Sequence, residues 1–304
     1  MPCTCGHEHT LLAEREDADK LAVEDMTKQA KSQSGAMATL TRARVKQLKA
    51  EISAEKAFAS TLRKARAQLL ETVETAITAS NPLTLLNLND EQLLEFILQG
   101  GLGLALDEFI EQQEAIKEAA EQAIKAIQPN FGFNSIAPQL DTIQSTTAQA
   151  VFDEVILPTF KTSINESLRD LLVDVPPSIV MSNLEARLKR SEGSQLTEVK
   201  TRISQYGRSV TAVAAETAGL DHYLYTGPRD GITRPFCRVL INLVVNDKQM
   251  RKLNNGQGLS VITSGGGYNC RHSWSPITEG FIEAANLTKA KQADINKANR
   301  SAKR

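Results

Sequence analysis

The sequence predicts a mainly α-helical protein with a small mixed α/β module near its C-terminal end. From about residue 11 to residue 220, apolar side chains recur at three- and four-residue steps with charged residues between them, as in amphipathic helices. The composition then changes, because residues 221–280 hold eight of the 17 glycines, three of the four tyrosines and the only tryptophan. Short apolar segments separated by glycine and proline turns are typical of a compact mixed module.

The size and overall charge of the chain fit a soluble protein. A chain of 304 residues with 41% hydrophobic and 23% charged residues can bury the core of one or two domains. A net charge of −1 gives no general indication of nucleic-acid binding. No apolar run has the length that spans a membrane, and the first residues do not resemble a secretory leader. We therefore expect folding in a cytosol, without a membrane partner and with reduced thiols.

Residues 11–220 form the predicted helical domain, which we expect to be elongated. Its clearest apolar repeat consists of Val45, Leu48, Ile52, Ala59, Leu62, Leu69, Val73 and Ile77. The stretch NLNDEQLLEFILQGG predicts a helix that is capped by Asn89 or Asp90 and ends at Gly100–Gly101. Another amphipathic stretch ends at Pro129. Further helices are predicted over 137–173, 177–191 and 194–219, with breaks at VDVPPS and SEGSQ.

Charge is distributed unevenly along the helices. Residues 41–70 carry eight basic and two acidic side chains, a net charge of +6, whereas residues 107–125 carry a net charge of −4. Such blocks are either solvated helix faces or contacts with a charged partner. For the basic block we expect a partner, contacted by four side chains: Arg42, Arg44, Lys46 and Lys49.

The predicted module covers residues 221–280 and is followed by a tail. The segments HYLYT and LSVIT predict strands, and PFCRVLINLVV predicts a short buried helix or strand. Asp230–Gly231 is a turn dipeptide, and the three glycines at 265–267 allow a close backbone approach or positive φ. Residues 281–304 have a net charge of +4 and predict a weakly helical basic tail with a mobile end.

The cysteines and histidines form two groups, each with the composition of a tetrahedral zinc site. The first lies in the segment 1–10, where the ligand types alternate at Cys3, Cys5, His7 and His9. Gly6 would let this segment bend around one ion. The competing interpretation is a flexible terminus in which these side chains are incidental.

The second group lies in the module and comprises His222, Cys237, Cys270 and His272. Three interpretations stay open: a structural metal site, two packed thiols, or a disulfide formed after release from the cell. Nearby arginines at 229, 234 and 271 could pair with Asp230. A catalytic role, with His272 as a base oriented by Asp230, is disfavoured because no nucleophile stands at a recognisable spacing.

Two elements of the module carry a family resemblance. The stretch YLYTGPRDGITRPFC, followed some thirty residues later by GGGYNCRHSWSPI, resembles the phage head-morphogenesis (Mu F-like) minor head protein family. That family pairs a D-x-x-T-R-P-x-C/H element with an N-C-R-C/H element closed by a proline. The matching residues here are Asp230, Thr233, Arg234, Pro235, Cys237, Asn269, Cys270, Arg271, His272 and Pro276.

The resemblance implies a non-enzymatic minor capsid protein of a tailed phage or prophage. Such proteins lie inside the virion near the portal, and in the host cytoplasm during assembly, and assist head assembly or genome delivery. The implied partners are the portal protein and, in addition, packaged DNA and the major capsid protein. The alternatives are a metal-dependent nuclease or an ADP-ribosyltransferase-like toxin that uses the module, and a zinc-stabilised DNA-binding protein, whose binding would weaken steeply with salt.

Overall fold

A computed structural model describes residues 12–79, 85 and 87–303 of the chain. The predicted fold class is confirmed, because helices precede a small C-terminal sheet that is itself flanked by short helices. The helices before the sheet are α1 (Leu12–Ser32), α2 (Gly35–Ala79), α3 (Asp90–Ile97), α4 (Gly103–Lys125), α5 (Ala137–Gln149), α6 (Leu157–Leu171) and α7 (Pro177–Thr217). A 3₁₀ turn at Phe133–Ile136 leads into α5, and π-helical turns at Leu98–Leu102 and Ala150–Ile156 follow α3 and α5.

The helix boundaries follow the local chemistry in most places. Asn89 caps α3, and its side chain and that of Gln92 accept reciprocal backbone hydrogen bonds in a capping box. The glycine pair ends the first helical segment as predicted, because Gly101 is non-helical with φ of 106°, and α4 begins directly after this kink. The predicted break at SEGSQ is also wrong, since α7 runs through it, whereas the break at VDVPPS is confirmed.

The chain divides into two compact units, each built from separate stretches. The first contains Met1–Ser53, Gln113–Ser145 and Lys200–Arg304, and the second contains Ala54–Gln112 and Thr146–Val199. The first unit therefore joins the predicted C-terminal module with parts of the predicted helical domain. Among the described residues no helix combines the length and the apolar character that crossing a bilayer would require.

The second unit has an apolar core and one prominent ion-pair cluster. Leu62, Leu69 and other members of the predicted apolar repeat are buried, and Phe58 packs edge-to-face on Phe109 with ring centroids 5.6 Å apart. Glu192 receives hydrogen bonds from Arg63 at 2.7 Å and from Arg66 at 2.8 Å. These contacts hold α7 against α2 within this unit.

The sheet lies in the first unit and has four strands in the order β3-β1-β2-β4. The strands are β1 (His222–Thr226), β2 (Leu243–Asn246), β3 (Ser273–Ile277) and β4 (Thr288–Lys289). β1 is antiparallel to both β2 and β3, and β4 is parallel to β2. Tyr225 pairs with Trp274, and Tyr223 pairs with Pro276, which is tolerated because β3 is an edge strand.

Short helices cover the sheet and differ from the predictions in one place. They are α8 (Pro235–Leu240), α9 (Asp247–Met250), α10 (Val261–Ser264), α11 (Glu279–Ala284) and α12 (Gln292–Ser301). The strand predicted from LSVIT is wrong, because Val261–Ser264 is a helical turn. A short apolar run does not by itself distinguish a strand from a buried helical turn.

The residues after 280 belong to the module and do not form a separate tail. Strand β4 pairs with β2, and the amide of Ala290 donates to the Val244 carbonyl at 2.8 Å. On α12, Ile295 and Ala298 are fully buried in the same core as β1. The expectation of a mobile tail overlooked these two positions, whose burial anchors a largely polar helix.

Alternation along β1 separates two cores. Tyr223 and Tyr225 belong to the core that also contains Cys237, Cys270 and Trp274. Leu224 belongs to the opposite core, with Val244, Ile277 and Leu40 of α2. Successive side chains of a strand point to opposite faces, so β1 places Tyr225 beside the two cysteines.

Candidate metal centre

Cys237, Cys270 and His272 form a buried group whose ligand atoms all lie within 4.8 Å of one another. The two sulfurs are 3.8 Å apart, and Sγ of Cys270 lies 3.8 Å from Nδ1 of His272. Both cysteines are free thiols in the structure. Two thiols and an imidazole gathered in this way could bind a metal ion.

The first motif element delivers Cys237 on a short helix. Pro235 occupies the first turn of α8, where its missing N–H is not needed, and Cys237 follows two residues later. Arg234 immediately precedes the helix and donates to the carbonyl of Gly266 at 3.1 Å. This bond joins the start of α8 to the glycine run that precedes the second element.

The glycine run brings its backbone against the two sulfurs. A Cβ atom at Gly266 would lie 2.4 Å from Sγ of Cys237, and one at Gly265 would lie 3.0 Å from Sγ of Cys270. The amide of Gly266 also donates to Sγ of Cys270 at 3.1 Å. The close approach predicted for the glycines is therefore an approach to the thiols, and larger residues would displace the sulfurs.

His272 is held with Nδ1 towards the thiols. Its Nε2 lies 2.9 Å from the carbonyl oxygen of Pro228, and a carbonyl only accepts, so Nε2 carries the proton and donates it. The lone pair of Nδ1 then faces Cys270. A hydrogen bond of this kind from the opposite ring nitrogen fixes the tautomer of many metal-binding histidines. Gly227 makes room for the ring, because a Cβ there would lie 2.3 Å from its Cδ2.

The two thiols differ in acidity. The hydrogen bond with Cys237 lowers the pKa of the Cys270 thiol well below its usual value, against the opposing effect of burial, and the charge of Arg208 lowers it further. The same hydrogen bond, together with burial, raises the pKa of Cys237. Cys270 is thus the sulfur closer to the thiolate form, which is the form that binds metal.

Arg271 and Asp230 join the two motif elements at a second point. The Arg271 guanidinium donates to both carboxylate oxygens at 2.6 and 2.9 Å and also to the carbonyl of Ala18 at 2.9 Å. Burial raises the pKa of Asp230, but the hydrogen bond and charge of Arg271 more than offset this, so the pKa is lowered. The Thr233 hydroxyl contacts Oδ1 of Asp230 at 2.9 Å and the Pro228 carbonyl at 3.0 Å.

The structure does not bring His222 into this group, which corrects the sequence-based prediction. Nδ1 of His222 lies 2.7 Å from Oδ1 of Asp221, and its Nε2 lies 3.6 Å from Oε2 of Glu279. It is three residues before Tyr225 on β1, so alternation turns it to the other face of the strand. Cys3, Cys5, His7 and His9 lie outside the described residues.

The other motif residue, Asn269, has a backbone role. It adopts φ of 54°, a left-handed conformation that asparagine tolerates better than most residues. Its backbone amide donates to the hydroxyl of Thr201 on α7 at 3.2 Å. The asparagine therefore turns the chain into the segment that carries Cys270.

The structure also corrects the prediction that Arg44 contacts a partner, because this residue does not lie on the surface. Its side chain is 2% exposed, and it pairs with Glu51 at 3.0 Å and donates to the carbonyl of Arg271 at 3.4 Å. The other three members of the predicted surface, Arg42, Lys46 and Lys49, are exposed. Helical spacing alone did not show that position 44 faces the module.

Sequence reasoning missed two residues at this site. The hydroxyl of Tyr225 lies 3.3 Å from Sγ of Cys237 and 3.7 Å from Sγ of Cys270. Alternation within HYLYT could have placed Tyr225 on the core face. Arg208 of α7 donates to the carbonyls of Thr263 and Cys270, and no local pattern connects it with a residue so distant in the sequence.

His272 and Asp230, the two side chains that the sequence suggested for a catalytic role, form other contacts. Nε2 of His272 donates to Pro228, and Asp230 is paired with Arg271, so these side chains do not form a base with its orienting carboxylate. Beside them lies an open depression of about 520 Å³, lined by Arg229, Asp230, Gly231, Thr233, Arg238 and Ile241. Arg238 donates there to the carbonyls of Thr233 and Gly231.

Comparison of the chain with protein-family models, with curated proteins and with solved structures gave no match. The class of protein is therefore described from its fold and its site. The chain is a mainly helical protein with a small mixed sheet. Beside this sheet lies a buried group of two cysteines and one histidine that could bind a metal ion.

Proposed function

We propose that this chain is a minor capsid protein of a tailed phage or prophage, which lies inside the head near the portal and assists head assembly or genome delivery. The observation that carries the proposal is that both elements of the head-morphogenesis pattern meet in one buried group. Asp230 of the first element pairs with Arg271 of the second, and Cys237 lies beside Cys270. The residues that define the resemblance thus have a shared structural use.

The burial of this group favours a structural role over an enzymatic one. A catalytic site must present its reacting groups to a substrate, whereas Cys237, Cys270 and His272 are at most 5% exposed. Buried arginines further hold the second element, because Arg208 and Arg44 donate to the carbonyls of Cys270 and Arg271. A module secured in this way is suited to form a rigid contact within an assembled particle.

Zinc is the ion that we propose for the buried group. Tetrahedral zinc with Zn–S bonds of about 2.3 Å places two sulfurs about 3.8 Å apart, and the sulfurs of Cys237 and Cys270 are 3.8 Å apart. The corresponding distance between a sulfur and an imidazole nitrogen is about 3.6 Å, against 3.8 Å between Cys270 and His272. Zinc would stabilise the module by joining two sequence-distant elements.

Purified heads test the proposed function. Cells that produce this chain together with its portal and major capsid proteins should yield heads that contain the chain in few copies. It should resist external protease until the heads are opened, and its incorporation should fall when the portal protein is omitted. A chain that is absent from heads, or that external protease digests, would contradict the proposal.

An enzymatic alternative gives a different result. Under that alternative, His272→Asn would keep the stability of the protein and abolish a nuclease or transferase activity. Under the proposed function the substitution lowers the stability of the first unit and the content of bound zinc.

A further inference from the structure

We propose that the hydroxyl of Tyr225 supplies the fourth ligand and completes a closed zinc site made of two cysteines, one histidine and one tyrosine. The inference rests on the zinc site proposed above and adds to it a residue type that cysteine and histidine spacings do not include. It also assigns the site a purpose, because a zinc ion with four protein ligands is structural, whereas catalytic zinc keeps one position for water or substrate.

The position of the Tyr225 oxygen fits the fourth corner of a tetrahedron. With Zn–S bonds of about 2.3 Å and a Zn–O bond of about 2.0–2.2 Å, a ligand oxygen lies about 3.5–3.7 Å from each sulfur. The Tyr225 oxygen lies 3.3 Å from Sγ of Cys237 and 3.7 Å from Sγ of Cys270. Both distances are within about 0.2 Å of the separation that shared coordination requires.

The ring of Tyr225 is held in this orientation from two sides. It stacks on the ring of His272, with centroids 5.4 Å apart and an angle of 16° between the planes. The ring of Trp274 packs against it with centroids 4.3 Å apart. Tyr225 is fully buried, so its hydroxyl has its polar contacts with the two thiols and no access to bulk solvent.

The glycine run closes the site on the same side. A Cβ atom at Gly265 would lie 3.1 Å from the hydroxyl oxygen of Tyr225 and 3.0 Å from Sγ of Cys270. The backbone thus lies against the oxygen and the sulfur together.

Cobalt(II) is the probe that tests the fourth ligand, because it replaces zinc and its visible spectrum reports the coordination. The full chain is used with Cys3→Ser and Cys5→Ser, so that these two N-terminal thiols cannot contribute. In that background, Tyr225→Phe should weaken cobalt and zinc binding by more than the roughly 10- to 100-fold seen when a group that only supports the ligands of a metal site is removed. It should also change the visible cobalt bands.

Tyr223→Phe is the matched control. Tyr223 lies on the same strand and in the same core as Tyr225, two residues before it, so its substitution should leave affinity and spectrum unchanged. Equal affinity and an equal spectrum for Tyr225→Phe and its parent would overturn the assignment of Tyr225.

A second measurement does not depend on any substitution at Tyr225. In the cobalt-loaded parent, ring protons of a ligating tyrosine give strongly shifted NMR resonances, which should disappear when the protein is made with ring-deuterated tyrosine. Unchanged resonances would also overturn the assignment. Loss of all binding in Cys237→Ser with Cys270→Ser supports the zinc site itself. Failure of head incorporation, by contrast, bears only on the proposed function.

Discussion

Arg271 and Asp230 form a two-pronged ion pair, with nitrogen–oxygen distances of 2.6 and 2.9 Å, between elements that are 41 residues apart in the sequence. Both side chains are largely removed from solvent, at 9% and 16% exposure. The planar guanidinium matches the carboxylate in this geometry, and lysine could not reproduce it. The pair therefore fixes the loop before α8 against the segment that carries Cys270 and His272.

We expect Asp230→Asn to lower the stability of the first unit by about 1.5–3 kcal/mol, because hydrogen bonds to charged groups contribute in that range. Urea unfolding followed by the fluorescence of Trp274, the only tryptophan, reports on this unit. Glu279→Gln is the control, since Glu279 pairs with Lys289 on the surface with both side chains about half exposed. An exposed pair contributes at most about 1 kcal/mol. Similar losses in both variants would contradict the role given to Asp230.

Gly227→Ala should also destabilise the first unit, because the new methyl group would overlap the ring of His272. Overpacking of this kind costs about 1–3 kcal/mol, and displacement of the ring should weaken zinc binding as well. Gly231 lies four residues later in the same loop, and a Cβ there meets nothing within 4 Å. Gly231→Ala should therefore change the stability by no more than about 0.5 kcal/mol. Thermal unfolding and metal content measured on both variants separate the two cases.

The sequence predicted the helices well and their joins less well. Helical periodicity is a local property, so the apolar repeat in α2 and the cap at Asn89 were accessible from the sequence. The uninterrupted course of α7 through SEGSQ depends on packing, which overrides the local preferences of glycine and serine. Ile295 and Ala298 are only two buried positions in a largely polar helix, and their burial depends on packing into the core that contains Tyr225 and Cys237.

The candidate site was partly accessible from the sequence. Ligand chemistry singled out Cys237, Cys270 and His272 because few residue types bind zinc. It also included His222, which the strand alternation places on the other face. The contributions of Tyr225 and Arg208 depend on tertiary contacts across 45 and 62 residues, and no local sequence pattern encodes such contacts.

Acid should loosen the second unit through Glu192. Burial raises the pKa of Glu192, but the hydrogen bonds and charges of Arg66 and Arg63 lower it by more. A lowered pKa gives stability that is present above the ordinary value of about 4.5 and is lost as the pH falls through the folded-state value. Hydrogen-exchange protection around residue 192, expressed relative to the intrinsic exchange rate at each pH, should fall on acidification. In Glu192→Gln the protection should already be lower at neutral pH and should change less with pH. Glu185→Gln, at an exposed position of the same helix, should keep the wild-type profile.

Metal content separates the two cysteine groups. If the N-terminal residues bind zinc as their composition suggests, the reduced wild-type protein should hold two equivalents. Cys3→Ser with Cys5→Ser, and Cys237→Ser with Cys270→Ser, should then each remove one. Elemental analysis of the purified proteins measures this. A wild-type content of one equivalent that Cys3→Ser with Cys5→Ser does not reduce would reject the N-terminal site and leave the buried one.

The basic face of α2 should direct the chain into heads. Its exposed members are Arg42, Lys46 and Lys49. Reversing these three charges to glutamate should reduce incorporation while the protein stays folded. The reason is that the implied partners, an acidic portal surface or packaged DNA, attract positive charge. Arg44→Glu should instead destabilise the first unit, since it would place a second acid beside buried Glu51.

Quantitative mass spectrometry of purified heads gives the incorporation, and circular dichroism checks the fold. As a matched control, three exposed lysines near the C-terminal end are reversed in the same way: Lys291, Lys297 and Lys303. An equal loss in that control would indicate a general effect of charge and contradict a specific role for α2.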